Sequence, residues 1–277
     1  MKLLINKLFR TRTLLILICI FSLFINFYRI SEVPPSLSWD EASVGYDSWS
    51  IIHDGKDQWG EFLPIAFKSF EEYKYPFHVY ATAFFVKLFG LSEFSTRAPS
   101  ATFGVINVLI LFFLVRLITK NEPVSILSSM FLAISPWFIQ FSRVNWETNF
   151  ALFFFFLGLF FFFYGMLEKK NFLILSFLFF GLTLYTYNAA KIFIPLFAVS
   201  LIGIYLKDLL KNKFVLIVSI FIFLVFLSIS YFNPQLSGLT RFKQISFDDN
   251  LVRNTEAYKI SKKYFLGKME IIAKQYI

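Results

Sequence analysis

The sequence predicts an all-α integral membrane protein of about seven transmembrane helices, and three observations carry that prediction. Of its 277 residues, 57% are hydrophobic and 16% are charged, against roughly 25% charged in a soluble domain. The apolar residues come in long runs rather than in alternation, which suits helices that satisfy their own backbone hydrogen bonds in lipid. Basic residues crowd some of the connections between runs and are scarce in others, the bias that marks cytoplasmic loops.

A span needs about 20 mostly apolar residues. The first, 13–30, follows Lys2, Lys7, Arg10 and Arg12 and looks at first like a signal peptide. It runs on through Asn26-Phe27-Tyr28-Arg29-Ile30 with no small-residue cleavage site, so it reads as an uncleaved span. The others are 98–118, 123–141, 150–167, 171–187, 190–206 and 214–232. Segment 77–89, FHVYATAFFVKLF, follows Pro76 and ends at Gly90. It covers only about 20 Å of a hydrocarbon core about 30 Å thick, and reads as a helix lying on the membrane surface.

Charge bias sets the sides. With 77–89 outside the bilayer, the amino terminus shares a face with Arg116/Lys120, Lys169/Lys170 and Lys207/Lys211/Lys213. The short loops opposite carry only Arg143 and Lys191. If 77–89 crossed, all those clustered basic residues would move outside, against the rule. The amino terminus is therefore expected in the cytoplasm, at the plasma membrane. Residues 31–97 form one long extracytoplasmic loop with ten carboxylates against five Lys/Arg. The same count places the tail 233–277 outside, with a helix around 254–275, although it holds eight Lys/Arg and four carboxylates. The sequence stops without an evident end signal, so it is expected to be a piece of a longer protein.

Several classes drop out. The net charge of +9 sits largely in the cytoplasmic loops, so no nucleic acid partner is expected. Cys19 is the sole cysteine, which leaves neither an internal disulfide nor a cysteine-based metal site. His53 and His78 lack metal-binding spacing and read as ordinary interface residues. Asp54-Gly55-Lys56-Asp57 reads as a turn, and the five tryptophans as interfacial anchors.

Three external segments then converge: PPSLSWDEASVGYD (34–47), SRVNWETN (142–149) and YNAAK (187–191). Polar and ionisable groups beside lipid are costly and mark functional sites. Asp40 and Glu41 stand in SWDEAS, a helix start with Ser38 or Asp40 as its cap; each is a general acid–base candidate, or Asp40 a cap and Glu41 a first-turn acid. Arg143 and Lys191 either bind phosphate or snorkel at helix ends. Glu147 is an acceptor or metal contact, or a solvated loop acid.

The order of these motifs resembles a known family. Asp-Glu after a first span is followed by GKDQWGEFLP (55–64), the Tyr-Pro-Phe-His-Val-Tyr helix start (75–80), LFGLSEFSTRAPSATFG (88–104) and SPWFIQFSRVNWETNFAL (135–152). Over roughly residues 1–206 this resembles the polytopic glycosyltransferases of the GT-C fold, such as protein O-mannosyltransferases and the bacterial aminoarabinose transferase of lipid A. The resemblance implies a polyprenyl-phosphate-linked sugar donor in the lipid bilayer and an acceptor glycan, lipid or protein on the outer face. It implies transfer with inversion, Asp40 as catalytic carboxylate with Glu41 beside it, and Arg143, Arg97 and Lys191 facing the donor phosphate. Glu147, Tyr75 and Asn188 would contact the acceptor or support residues that do. No metal is obligatory; some relatives hold a divalent cation with acids from the first two loops. The competing readings are a transporter or flippase for lipid-linked sugars and a non-catalytic subunit of a membrane complex. The near absence of charge within the spans speaks against transport.

Overall fold

The computed structural model describes residues 2–69 and 73–236. The tail beyond 236, with its expected helix, lies outside the described residues. The chain runs α1 (Lys2–Phe27), α2 (Trp39–Asp54), a two-residue antiparallel ladder of β1 (Phe67–Lys68) and β2 (Tyr73–Lys74), and α3 (Pro76–Phe89). It continues with α4 (Glu93–Thr119), α5 (Glu122–Ile134), α6 (Pro136–Arg143), α7 (Thr148–Leu167), α8 (Phe172–Thr183), α9 (Ala190–Leu209), a 3-10 turn (Leu210–Asn212) and α10 (Lys213–Phe232).

The protein is mostly helical, as the composition demands. Among the described residues three stretches are long and apolar enough to cross a membrane: Glu93–Thr119, Thr148–Leu167 and Ala190–Phe232. The pair α5–α6 makes a fourth if its two pieces count as one span. The last stretch folds back on itself. Tyr231 Oη donates to the Lys191 carbonyl at 2.8 Å, across a separation that would be about 60 Å in a straight helix.

Two expected spans are interrupted. The run 123–141 is bent by 58° at Ser135. Pro136 brings no N–H and its ring clashes with the preceding turn; Ser135 caps the new helix, accepting from the Phe138 N–H at 3.4 Å. The run 171–187 is α-helical only to Thr183, after which Leu184, Tyr185 and Thr186 donate three residues back in a tighter winding.

Close packing and buried amides hold the bundle. A Cβ on Gly158 would lie 2.5 Å from the Phe180 ring, and one on Gly104 would lie 2.6 Å from Ser142 Oγ. Glycine thus lets α7 approach α8, and α4 approach α6. Asn149 Nδ2 donates to Ser142 Oγ at 2.9 Å and Asn107 Nδ2 donates to the Asn149 carbonyl at 2.9 Å, pinning α4, α6 and α7. Ile192, Leu196, Val199, Phe214, Ile217 and Phe221 are exposed on α9 and α10, the apolar outer face a helix presents to lipid.

The first loop is ordered by its own polar groups. Ser38 caps α2 in a reciprocal capping box with Glu41, and Gly55, at φ 67°, ends it. Asp57 accepts from the N–H groups of Trp59 and Glu61, each at 2.9 Å, and the Gly60 N–H donates to the Asp57 carbonyl at 3.0 Å, so the turn lies at 57–60 and not at 54–57, where Asp54 ends α2 and Lys56 bridges Phe62. Helix α3 packs against α2 and α4. It buries His78, Val79, Thr82, Ala83 and Val86 and exposes Phe84, Leu88 and Phe89.

Candidate active site

The linker between α1 and α2 is gripped from two sides by arginine. Arg97, on the first turns of α4, is completely buried. Its Nε donates to Glu41 Oε1 at 2.8 Å, and its terminal nitrogens donate to the carbonyls of Ile30 (3.0 Å), Pro34 (2.8 Å) and Ser36 (2.5 Å) and to Glu41 Oε2 (3.3 Å). A guanidinium has five N–H donors, and all five are taken. Arg143, at the end of α6, donates to the carbonyls of Ile25, Tyr28 and Val33. It satisfies one carbonyl that the last turn of α1 leaves without a helical partner, that of Ile25, and two beyond the helix, those of Tyr28 and Val33. Both arginines expected at phosphate thus hold backbone, and Arg97 has no donor left for an anion.

Glu41 belongs to the same knot. Its carboxylate also accepts from the N–H of Ser38 (2.9 Å) and of Asn145 (3.3 Å). Burial opposes its charge, but the bonds from Arg97, Ser38 and Asn145 and the charge of Arg97 outweigh burial and hold its pKa below the usual carboxylate range. Adjacent helical residues point about 100° apart, and the two acids differ accordingly. Glu41 is buried, whereas Asp40 is half-buried and accepts from Trp39 Nε1 at 3.2 Å. Glu147 stands two residues beyond Asn145, at the start of α7, and is also half-buried.

The other expected residues gather elsewhere. Tyr75 Oη donates to Asn188 Oδ1. Lys191 Nζ stands over the Tyr75 ring, 4.8 Å from its centroid. Lys191 is 4% exposed, and its Nζ has no hydrogen-bond partner among the described residues. A buried ammonium normally has its donors paired; a ring face offers attraction but no acceptor atom. This is a cation arranged as if for an anion.

Three buried ionisable groups escaped the reading of the sequence: Asp47, Lys74 and His78. Asp47 accepts from the Gln58 N–H at 3.0 Å. Burial raises its pKa to about 6, partly offset by that bond and by the charge of Lys74, while Asp57 adds to the rise. His78 is no interface residue. Burial, then the charge of Lys74, push its pKa down to about 3, weakly opposed by the Tyr75 backbone, so the ring is neutral. Their signal was slight: Asp47 and His78 lie on the α2 and α3 faces that also carry Val44, Gly45 and Val79, and Lys74 lies in the two-residue β2.

Among the described residues no group of three or more His, Cys, Asp or Glu is placed to hold a metal ion. A family model described as dolichyl-phosphate-mannose-protein mannosyltransferase matches residues 74–232. The chain belongs to that family. As a member it is a membrane glycosyltransferase of the mannosyltransferase type. The match takes in Lys74, Tyr75, Arg97, Arg143, Glu147, Asn188 and Lys191 and begins after Asp40 and Glu41. No curated protein and no solved structure matches the chain.

Proposed function

We propose that this mannosyltransferase-type enzyme moves a sugar from a polyprenyl-phosphate donor to an acceptor glycan, lipid or protein on the extracytoplasmic face, with inversion. The observation that carries the reading is the buried Lys191 amine without an acceptor, beside Tyr75 and Asn188. A donor phosphate would supply the missing acceptor, and a charge-assisted bond in so dry a place is strong. Asp40 takes the proton from the acceptor hydroxyl as its oxygen bonds to the anomeric carbon. The bond from that carbon to the phosphate oxygen breaks, and polyprenyl phosphate leaves with the electron pair. A single displacement inverts the centre. Arg97, Arg143 and Glu41 fix the linker that presents Asp40, and Glu147 faces the acceptor. No step requires a metal.

The topology belongs to the same proposal: seven spans, amino terminus in the cytoplasm of a plasma-membrane protein, α2 and α3 outside. On a Cys19→Ser background, Asp54→Cys should react with a membrane-impermeant thiol reagent in intact cells and Lys169→Cys should not. Both positions are exposed. The reverse labelling would sink the assignment. For the chemistry, purified protein is given radiolabelled dolichyl-phosphate-mannose and transfer is counted. Asp40→Asn should lower turnover by about 10²–10⁴-fold, the usual contribution of a general base, and leave donor affinity nearly unchanged. Near-normal turnover in that variant would remove Asp40 from the mechanism.

A further inference from the structure

Lys191 stands in the first turn of α9, and its backbone is held by a bond from outside that helix. In a regular helix its carbonyl would accept from the N–H four residues on. That residue is Pro195, which lies inside α9, and proline has no N–H to give. A side chain makes the bond instead. Tyr231 Oη, near the end of α10, donates to the Lys191 carbonyl at 2.8 Å, across a separation of 40 residues. The other side of the same turn is tied down as well. The Lys191 N–H donates to the Asn188 carbonyl at 3.2 Å, and the Asn188 side chain accepts from Tyr75 Oη. Residues 188–191 are thus held from the first loop by Tyr75 and from α10 by Tyr231.

We infer that Tyr231 is a positioning residue for Lys191: it supplies the donor that Pro195 lacks, fixes the first turn of α9, and so sets where the Lys191 amine stands. The inference rests on the proposed contact between that amine and the donor phosphate. Without Tyr231 the carbonyl would lack its helical partner, beside a proline ring that also crowds it. A turn so weakened can tilt or unwind. The Lys191 side chain is buried over the Tyr75 ring, so it has little room to swing back when its backbone shifts. Proline and tyrosine therefore act as a pair. The proline removes a bond internal to α9, and the tyrosine replaces it with one that ties the turn to α10.

The test measures dolichyl phosphate affinity of the full chain in detergent. Tyr231→Phe removes the hydroxyl and keeps the ring, which is 47% exposed and so contributes less packing than a core aromatic. Its affinity should be about 10-fold weaker, the lower end of what a lost hydrogen bond to a charged group costs. In a Lys191→Met background the same change should cause no further loss, because the two residues act in series. Pro195→Ala gives position 195 an N–H, so Pro195→Ala/Tyr231→Phe should bind within about twofold of wild type, a difference of a few tenths of a kcal/mol. The double variant also decides the matter if Tyr231→Phe alone does not fold. Wild-type affinity in Tyr231→Phe, an equal loss in the Lys191→Met background, or a double variant that stays weak overturns the inference. If Lys191→Met itself binds as wild type does, the phosphate contact fails and the inference fails with it. If Lys191→Met weakens binding and Tyr231→Phe does not, only the inference fails.

Discussion

The cation at the α1–α2 linker and the cation at the start of α9 face the same problem and meet it in opposite ways. Arg97 is buried, and each of its five N–H groups has an acceptor. Lys191 is nearly as deeply buried and its amine has none among the described residues. A saturated cation is a structural part: its desolvation is offset by bonds already made. An unsaturated one leaves interaction energy unused in the resting protein. The difference teaches that burial of a basic residue near lipid does not by itself mark a phosphate site, since a cation whose donors are all taken has none to offer an anion.

The largest effect should come from breaking the saturated site. Arg97→Met removes the partner of Glu41 and leaves that carboxylate buried, along with the carbonyls of Ile30, Pro34 and Ser36. Loss of one partner from a buried pair costs about 3–5 kcal/mol, so the variant should denature at markedly lower temperature or urea than wild type. A stability within 1 kcal/mol of wild type, taken as about the measurement's resolution, would mean that the linker is held by something else. Donor affinity, measured on whatever protein stays folded, should be nearly unchanged.

Asp47 stands between the two cases, with Gln58 donating but no full set of partners. Its pKa of about 6 lies above the 3.8 of an ordinary aspartate. The protonated form is therefore the one the fold prefers. The stability this group contributes is fully present below pH 3.8 and is lost as pH rises through about 6. Asp47→Asn keeps an acceptor for the Gln58 N–H and stays neutral. It should stabilise the protein by about 2–3 kcal/mol at pH 7.5, with the gain fading toward pH 4. A loss of stability at pH 7.5 would show that the Lys74 charge dominates this carboxylate and would place Asp47 with the saturated groups.

Much of this was legible before any coordinates. The apolar runs located the helices because length and hydrophobicity are properties of the chain alone. The stretch SWDEAS announced a helix start, though only the structure shows that Ser38 caps it in a box with Glu41. The break at Ser135 was also written in the sequence, at Pro136; hydropathy over 123–141 outweighed it because an average over a window does not register a missing N–H. The candidate site divided differently. Tyr75, Asn188 and Lys191 do come together, and Asp40 and Glu41 do diverge. The role of Arg97 was not legible, since its acceptors are carbonyls of Ile30, Pro34 and Ser36, and any residue has a carbonyl. Asp47 and His78 were missed for the same reason: burial of a polar side chain is decided by what packs over it.

At the unsaturated site the expectation reverses that for Arg97. Lys191→Met has nothing to unpair except the contact with the Tyr75 ring, worth about 0.5–2 kcal/mol, and it relieves a buried charge. Stability should stay within about 1 kcal/mol of wild type. Affinity for dolichyl phosphate should fall by about 1.5–3 kcal/mol, the range for a hydrogen bond to a charged group. Unfolding of this variant with unchanged affinity in the surviving fraction would make Lys191 a structural residue too, and the contrast between the two cations would dissolve.

Arg143 gives the finest test, because its geometry sides with the linker and its motif with phosphate. Its three acceptors are the carbonyls of Ile25, Tyr28 and Val33, but the side chain is only half-buried. Water is at hand to replace what it gives up. Arg143→Ala should therefore cost only about 1 kcal/mol of stability, the net worth of hydrogen bonds exchanged with solvent. Arg143→Lys should recover little of that, since a single ammonium on a flexible stem does not span three carbonyls as a planar fork does. If the residue only closes the end of α1, donor affinity will be the same in all three proteins. If the donor phosphate displaces one of those carbonyls, affinity for dolichyl phosphate will fall in Arg143→Ala and return partly in Arg143→Lys, because a point charge still attracts phosphate. The order of affinities among the three proteins thus separates a residue that holds the linker from one that exchanges it for the substrate.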